Sequence, residues 1–231
     1  KRIDVDPSAR YNDAIRQASK NGHIEVVNRL LQDPRVDPSA RDNYAIRFAS
    51  INGHIEVVNR LLQDPRVVPS AVDNQAIRFA SINGHIEVVN RLLQDPRVDP
   101  SARDNAAIRW ASWDGHIEVV NRLLQDNRVD PSACYNDAIR WASCDGHIEV
   151  VNRLLQDNRV VPSANDNYAI SIASRNGHIK VVNRLLQDPR VDPSALDNGA
   201  IRWASENGHI EVVNRLLQDP RVDPSARNTL K

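Results

Sequence analysis

Seven histidines recur along the chain at a constant spacing of 31 residues, and imidazole is a common metal ligand and proton carrier. They are His23, His54, His85, His116, His147, His178 and His209. None is followed by a second ligand at i+3 or i+4, the spacing that a helical metal site needs. Each begins a predicted helix, where the helix dipole disfavours the protonated ring. We therefore predict that these residues cap and pack helices, with no metal and no cofactor.

An arginine column follows the same spacing and is interrupted at Ser171; its members are Arg16, Arg47, Arg78, Arg109, Arg140 and Arg202. One Arg beside an aromatic residue in each helical repeat also occurs in RNA-binding repeats that contact single bases. However, Lys plus Arg total 30 and Asp plus Glu total 30, and zero net charge disfavours a protein that grips phosphates. We expect each Arg to pair with a neighbour such as Asp42 or Asp73, which leaves nucleic acid a minor alternative.

The cysteines and the carboxylates give no sign of catalysis. Cys134 and Cys144 lie at opposite ends of one predicted helix, about 14 Å apart, which is beyond disulfide reach. Free thiols favour a reducing, cytoplasmic compartment for a natural chain; the alternative is a recombinant soluble protein. Catalysis needs unlike groups in one asymmetric site, whereas groups repeated seven times are structural by that fact. We predict no enzyme and no catalytic residue.

The composition is that of a folded chain outside the membrane. Apolar residues make up 41% and charged residues 26% of the sequence. No apolar run approaches the roughly 18 residues of a membrane span, and no charged-then-apolar leader opens the chain. The chain has no Met, so we do not expect residue 1 to be a natural start.

All of these side chains are positioned by one 31-residue unit, written seven times. The units span 6–36, 37–67, 68–98, 99–129, 130–160, 161–191 and 192–222, with partial copies at 1–5 and 223–231. Such self-similarity is typical of repeat architectures, in which each unit contacts only its neighbours. We therefore predict one repeat domain over residues 1–231.

Each unit has the pattern of two helices joined by a glycine turn. Apolar residues recur at helical spacing within 54–63, which predicts an amphipathic helix. A shorter helix precedes it at about 43–51, and Gly53 is the usual left-handed terminator, so the chain reverses into an antiparallel pair. Pro65 and Pro69 exclude helix from the joint between units and predict a loop or tight turn.

The run AIRFASINGHIEVVNRLL, residues 45–62, resembles the ankyrin repeat family. Ile46 corresponds to the family's Leu, Ala49 and Ser50 to its Ala pair, and the following Gly-His is shared. The resemblance extends over nearly the whole chain. It departs from the family at the Thr-Pro start, at the family's His, which is Arg47 here, and in its period, 31 instead of about 33.

This resemblance implies an all-α fold, an ankyrin-like helical solenoid of seven stacked helix-turn-helix repeats. The shorter period implies short loops or reduced hairpins between repeats, with the family's β-hairpin finger reduced or absent. The resemblance also implies that one side of the first helices lines a concave groove, the family's usual face for binding another protein.

Variation among the seven copies is concentrated in an eleven-residue window of each copy, which is 41–51 in the second copy. Together the seven windows contain all ten aromatic residues and both cysteines of the chain. Within the window of the second copy, residues 44, 47, 48 and 51 share one side of the first helix, and we call these four positions, in every copy, the variable stripe. Aromatic and Arg side chains contribute strongly to protein interfaces. We predict that partner-binding residues are Tyr44, Arg47, Phe48, Ile51, Gln75, Arg78, Phe79, Ile82, Arg109, Trp110, Trp113, Arg140, Trp141, Cys144, Tyr168, Arg175, Arg202 and Trp203.

One column of the stripe leaves two interpretations open. Phe48, Phe79, Trp110, Trp141, Ile172 and Trp203 either pack between repeats, as the family position does, or line an exposed groove. The Tyr44 and Ile51 columns mix Asp, Gly, Tyr, Lys and Trp, a mixture that a core does not tolerate, so we predict surface there.

The preferred hypothesis is a non-enzymatic protein-binding or scaffold repeat protein, engineered or consensus-derived because the copies are nearly identical. The alternatives are a structural scaffold without a target, a natural host-interaction ankyrin protein and a modular nucleic-acid binder. Changes away from the stripe favour recent duplication of a natural gene: Val68, Val161, Asn127, Asn158 and Lys180. Uncapped terminal repeats would also permit end-to-end self-association.

Overall fold

The computed structural model describes residues 6–228, and every regular element within them is helical. The first helices of the repeats are α1 (Ala9–Lys20), α3 (Ala40–Ile51), α5 (Ala71–Ile82), α7 (Ala102–Trp113), α9 (Ala133–Cys144), α11 (Ala164–Arg175) and α13 (Ala195–Glu206). The second helices are α2 (Ile24–Leu30), α4 (Ile55–Leu61), α6 (Ile86–Leu93), α8 (Ile117–Leu123), α10 (Ile148–Leu155), α12 (Ile179–Leu186) and α14 (Ile210–Leu216). A 3₁₀ helix, Pro224–Asn228, follows. Because residues 6–228 contain no strand, the hairpin finger is absent from this part of the chain.

Each first helix begins with a left-handed turn that the sequence analysis did not predict. In α3, Arg41, Asp42 and Asn43 have φ angles of 56°, 55° and 60°, and the right-handed helix begins after them. The equivalent three residues are left-handed in all seven repeats. This backbone costs an L-residue roughly 1–2 kcal/mol, and Asn tolerates it better than most. The Asn43 Oδ1 accepts a hydrogen bond from the backbone N–H of Val68 at 2.7 Å, which ties the strained turn to the next repeat.

The reversal predicted at Gly53 is confirmed. The residue has φ of +76°, and the His54 N–H donates to the Ala49 carbonyl at 2.9 Å while the Gly53 N–H donates to the Ser50 carbonyl at 3.2 Å. This pair of bonds is the Schellman termination of a helix. A Cβ at Gly53 would lie 2.7 Å from Nδ1 of His85 in the next repeat, so glycine is needed for space as well as for φ.

The joint between repeats is a series of tight turns held by an Asp-x-Arg clasp. The Asp64 carboxylate accepts hydrogen bonds from Nε and Nη2 of Arg66 at 2.9 and 2.7 Å. Arg66 Nη1 donates to the Val36 carbonyl at 2.8 Å, which joins the clasp to the preceding repeat. The hydrogen bonds that Asp64 accepts from Arg66 lower the pKa of its carboxyl group. The same pairing occurs at Asp33–Arg35, Asp95–Arg97, Asp126–Arg128, Asp157–Arg159, Asp188–Arg190 and Asp219–Arg221.

The described residues form two compact parts, divided between Ala107 and Ile108. From here on, these parts are called the first and the second unit, and each 31-residue copy is called a repeat. In the first unit, α1, α3 and α5 pack in sequence, as do α2, α4 and α6. In the second, α9, α11 and α13 pack in sequence, as do α8, α10, α12 and α14. One Ile of each first helix is fully buried: Ile15, Ile46, Ile77, Ile108, Ile139, Ile170 and Ile201. The predicted stacking of helix pairs is thus present within each unit, and the single domain over 1–231 stays a prediction.

Candidate functional site

The two sides of each first helix lie in different environments. Ala45, Ile46 and Ala49 are fully buried, as are their equivalents in the later repeats. The variable stripe on the other side is mostly half-buried or exposed. This placement agrees with the predicted division into a constant packing side and a variable outer side. The predicted surface position of the Tyr44 column is wrong for Ala106, Asp137 and Gly199, which are buried.

The predicted partner-binding residues differ in how much surface they offer. Trp113 and Arg175 are exposed, and Trp113 keeps 45% of its surface. Arg78 keeps only 8%, and burial lowers the pKa of its guanidinium, so it offers a partner little. The half-buried members are Tyr44, Arg47, Phe48, Ile51, Gln75, Phe79, Ile82, Arg109, Trp110, Arg140, Trp141, Cys144, Tyr168, Arg202 and Trp203. The Phe48 column is neither fully packed between repeats nor fully exposed in a groove. Its aromatic members are half-buried, and Ile172 is buried.

Rings and cations of the stripe contact one another in the first unit. The Tyr44 and Phe48 rings are stacked with centroids 4.0 Å apart. The Arg16 guanidinium lies 5.3 Å from the Tyr44 ring, and the Lys20 ammonium lies 6.0 Å from the Phe48 ring. Because Arg16 and Lys20 belong to the preceding repeat, the stripe is continuous across the boundary between these two repeats.

The second unit contains the largest aromatic side chains of the stripe. Trp113 and Trp141 lie 5.3 Å apart in a tilted arrangement, and Tyr168 meets Trp203 edge-on at 6.5 Å. The Arg109 guanidinium lies 4.9 Å from the Trp141 ring. Each contact joins residues of successive repeats, so the stacking of repeats within this unit assembles the cluster.

The arginine column mainly holds the left-handed turns. In α5, Arg78 Nε donates to the Asp73 carbonyl at 2.8 Å and Nη2 donates to the Val72 carbonyl at 3.1 Å. The Asp73 carboxylate forms an ion pair with Arg103 of the next repeat at 2.6 Å. Carboxylate pairing does occur in the second unit, where Arg109 and Arg140 share Asp137 at 3.2 and 2.8 Å.

A pocket of about 360 Å³ opens on the stripe of the second unit. Trp113 Nε1 donates to Asp145 Oδ2 at 3.0 Å at this pocket. The Arg140 guanidinium lies 4.9 Å from the Tyr168 ring. The lining combines three aromatic rings with an aliphatic side chain, a thiol, one cation and one carboxylate: Trp113, Trp141, Tyr168, Ile172, Cys144, Arg140 and Asp145.

The histidine column joins successive repeats and does not cap its own helices. The His85 Nε2–H donates to the Ile51 carbonyl at 2.9 Å, and the Asn83 side-chain amide donates to the same oxygen at 2.8 Å. The side chain of His85 makes no capping bond to α6, so the capping role is wrong while the packing role is confirmed. Within residues 6–228, no three His, Cys, Asp or Glu residues are grouped to hold a metal ion.

Both cysteines are free thiols, as predicted. Cys144 is half-buried, and the side-chain amide of Asn176 donates to its Sγ at 3.4 Å. Burial, followed by the nearby Asp145, raises the pKa of the Cys144 thiol. A raised pKa reduces the thiolate fraction, so the environment does not activate this thiol.

Sequence reasoning missed the asparagine of the left-handed turn. Its carboxamide links repeats at Asn12, Asn43, Asn74, Asn136, Asn167 and Asn198, each bonded to a backbone N–H 25 residues further on. The available signal was that Asn stands at this position in all seven copies, although the positions on either side of it, those of Asp42 and Tyr44, vary. A left-handed conformation together with a directed amide explains that constancy.

These stacked helix-turn-helix units, joined by repeating side-chain links, define a helical repeat protein. The family described as ankyrin repeats (three copies) matches residues 15–104, 46–135, 106–197 and 139–228. The chain therefore belongs to the ankyrin repeat family, whose repeats generally mediate protein–protein interaction and are typically non-enzymatic. No match is found among curated proteins. No helix of the part that the structure describes is both long enough and apolar enough to span a membrane.

Proposed function

We propose that the chain is a non-enzymatic binding protein that engages another protein through the variable stripe. One observation carries this proposal: most of the residues that vary between copies are left partly accessible by the packed repeats, and Arg78, Asp137 and Ile172 are among the buried exceptions. Fully buried Ala45, Ile46 and Ala49 do not vary from the second repeat onward, whereas the partly accessible positions carry Trp, Tyr, Phe and Arg. These residue types supply most of the strong contacts of protein interfaces.

The guanidinium contacts support a protein partner over nucleic acid. Arg16 and Arg78 donate to backbone carbonyls of their own turns, and Arg140 donates to a carboxylate. Guanidinium groups committed in this way are poorly placed to neutralise phosphates. The free thiols support a reducing compartment, and the near-identity of the copies supports a consensus-derived or engineered origin.

The test begins with a displayed library of random peptides, from which the wild-type chain selects binders. A stripe variant replaces Tyr44, Ile51, Trp113 and Tyr168 with Ala. The control variant replaces exposed second-helix residues with Ala, at Glu56, Glu87, Glu118 and Glu149. Selected peptides should lose binding to the folded stripe variant and keep it with the control variant. Binding that survives in both would refute the stripe, and no selection of any peptide would favour a scaffold without a target.

End-to-end association of two copies is a second candidate. Val26 is 48% exposed and Ile210 is 72% exposed, whereas Val57, the equivalent of Val26, is 1% exposed. The exposed apolar face of the first repeat in one copy can pack on that of the last repeat in another copy, because all repeats share one helix sequence. Sedimentation over a range of concentrations tests this candidate: Ile210→Asp should abolish concentration-dependent association, and a monomer throughout would exclude it.

A further inference from the structure

The variable stripe departs from repetition most strongly at one place, the pocket of the second unit. The pocket combines the last window position of one repeat with the eighth position of the next and the fourth of the one after, and we call such a set of three sequence positions a diagonal. The diagonal Trp113, Trp141 and Tyr168 is aromatic at all three positions. The diagonal that begins at Lys20 continues with Phe48 and Gln75, and those that begin at Ile51, Ile82 and Cys144 reach Ala106, Asp137 and Gly199.

The walls of this pocket are fixed by contacts on several sides. The Trp113 and Trp141 rings lie 5.3 Å apart, and Trp113 is oriented by its hydrogen bond to Asp145. Tyr168 is covered on one face by Arg140 at 4.9 Å. Ile172 is buried beneath them. The pocket of about 360 Å³ is therefore preorganised and near the lower end of the volumes that hold small ligands, a size suited to one bulky apolar side chain.

The charges around the pocket favour an acidic neighbour to that side chain. Arg109 and Arg140 share the single carboxylate of Asp137, and Asp145 accepts the indole N–H of Trp113. Arg175 is exposed and makes no ion pair with any residue in the described part of the chain. Its charge acts on the Cys144 thiol of the lining, and the neighbouring Asn176 amide donates to the Cys144 carbonyl at 2.8 Å, so Arg175 lies beside the pocket. Arg140 and Asp145, the charged members of the lining, balance each other in charge, so the unpaired positive charge beside the pocket is that of Arg175.

A cationic occupant is disfavoured by the same arrangement. The Trp141 and Tyr168 rings each already carry a guanidinium within 4.9 Å, from Arg109 and Arg140. A second cation at these rings would meet like charges, whereas an apolar side chain would fill the space between them.

We propose that this pocket binds a peptide segment of a partner protein that inserts one bulky apolar side chain between Trp113, Trp141 and Tyr168 and places an adjacent Asp or Glu against Arg175. The inference rests on the proposed function and specifies the partner's chemistry. The apolar side chain supplies most of the affinity, because anchors in desolvated pockets dominate interfaces. The carboxylate supplies orientation at the exposed rim.

The experiment uses peptides selected from the random library by the full chain. Trp113→Ala removes an exposed wall and Arg175→Glu reverses the rim charge. Their matched controls are Ile51→Ala and Lys20→Glu, which change the same column in the first unit. We expect a bulky apolar residue beside Asp or Glu in the selected peptides. Trp113→Ala should weaken binding at least about tenfold, Arg175→Glu should weaken it several-fold, and both controls should leave it unchanged.

The outcomes separate this inference from the proposed function. Binders that ignore Trp113→Ala but are lost with Ile51→Ala would overturn the pocket and keep the stripe. Binders that are basic, or that strengthen with Arg175→Glu, would overturn the acidic partner. Failure to select any peptide, or binding indifferent to every stripe variant, would count against both. Circular dichroism of each variant confirms that the fold is retained.

Discussion

Replacement of Gly53 by Ala tests whether contacts between repeats, as well as turns within them, stabilise the chain. Gly53 has φ of +76°, and a Cβ there would lie 2.7 Å from Nδ1 and 3.0 Å from Cγ of His85. Because Cγ is bonded to Cβ, it stays in place when the ring rotates about the Cβ–Cγ bond, so ring rotation alone does not remove the contact. Gly208 provides the matched control, because it has φ of +75° and no atom within 4 Å of its added Cβ.

The structure separates the two contributions. Gly208→Ala introduces only the left-handed strain, which is about 1 kcal/mol. Gly53→Ala adds overpacking of roughly 1–3 kcal/mol and displaces His85 from its bond to the Ile51 carbonyl, worth about 0.5–1.5 kcal/mol. We expect the free energy of unfolding to fall by about 2 kcal/mol more for Gly53→Ala than for Gly208→Ala.

Urea denaturation followed by circular dichroism measures both variants, with His85→Ala and the double variant completing a mutant cycle. In the His85→Ala background, Gly53→Ala should lose most of its excess and approach the cost of Gly208→Ala. Equal losses for the two glycine variants, or an additive cycle, would refute the contact between Gly53 and His85 as a source of stability.

Three further predictions concern links that recur in each repeat. Val68→Asp should raise the free energy of unfolding by about 0.5–1.5 kcal/mol, because the new carboxylate accepts bonds from Ser70, as Asp does in other copies. Ser50→Ala should leave stability unchanged or raise it by about 1 kcal/mol, since the Ser50 hydroxyl is buried without a hydrogen bond, and Ser205→Ala should lower it by a similar amount because that hydroxyl donates to a carbonyl. Thermal melting measures these three variants. Acid should destabilise the chain between about pH 4 and pH 2, because hydrogen bonds from its Arg neighbour lower the pKa of Asp33 from 3.8 to about 2. A carboxylate with a lowered folded pKa stabilises fully above its unfolded pKa and ceases to do so as pH falls through the folded value, which an acid titration of circular dichroism follows.

Each of these predictions has an opposing result. Val161→Asp, at the equivalent position of another repeat, should act like Val68→Asp, and a loss of stability in both would exclude the added bonds. A loss with Ser50→Ala would show that the hydroxyl has a partner. Stability that is flat from pH 4 to pH 2 would mean that the Asp-x-Arg clasps contribute nothing.

The local elements of the fold were predictable because their causes lie within one unit. Proline, glycine and the apolar period of 54–63 act over a few residues, and the helices lie close to the predicted positions. The left-handed turn at 41–43 was not predictable in the same way. No glycine marks it, and the Asn43 side chain that holds it bonds to Val68, 25 residues away.

The site was predictable as a list of positions and less so as an arrangement. Comparison of the seven copies identified the variable stripe, since packing constrains buried residues more than exposed ones. It did not show that Arg78 is buried against its own turn, or that Arg109 and Arg140 share Asp137. Those contacts depend on side-chain directions and on the spacing between stacked helices.

The sequence by itself determined a 31-residue repeat, its two helices and the column in which variation is concentrated, because periodicity and the chemistry of Gly and Pro are local properties. Tertiary structure alone decided which neighbours meet across repeats. It brought Trp113, Trp141 and Tyr168, at intervals of 28 and 27 residues, to one pocket. That proximity arises because, within the second unit, each repeat packs on the next with a fixed offset, so residues distant along the chain become neighbours on one face.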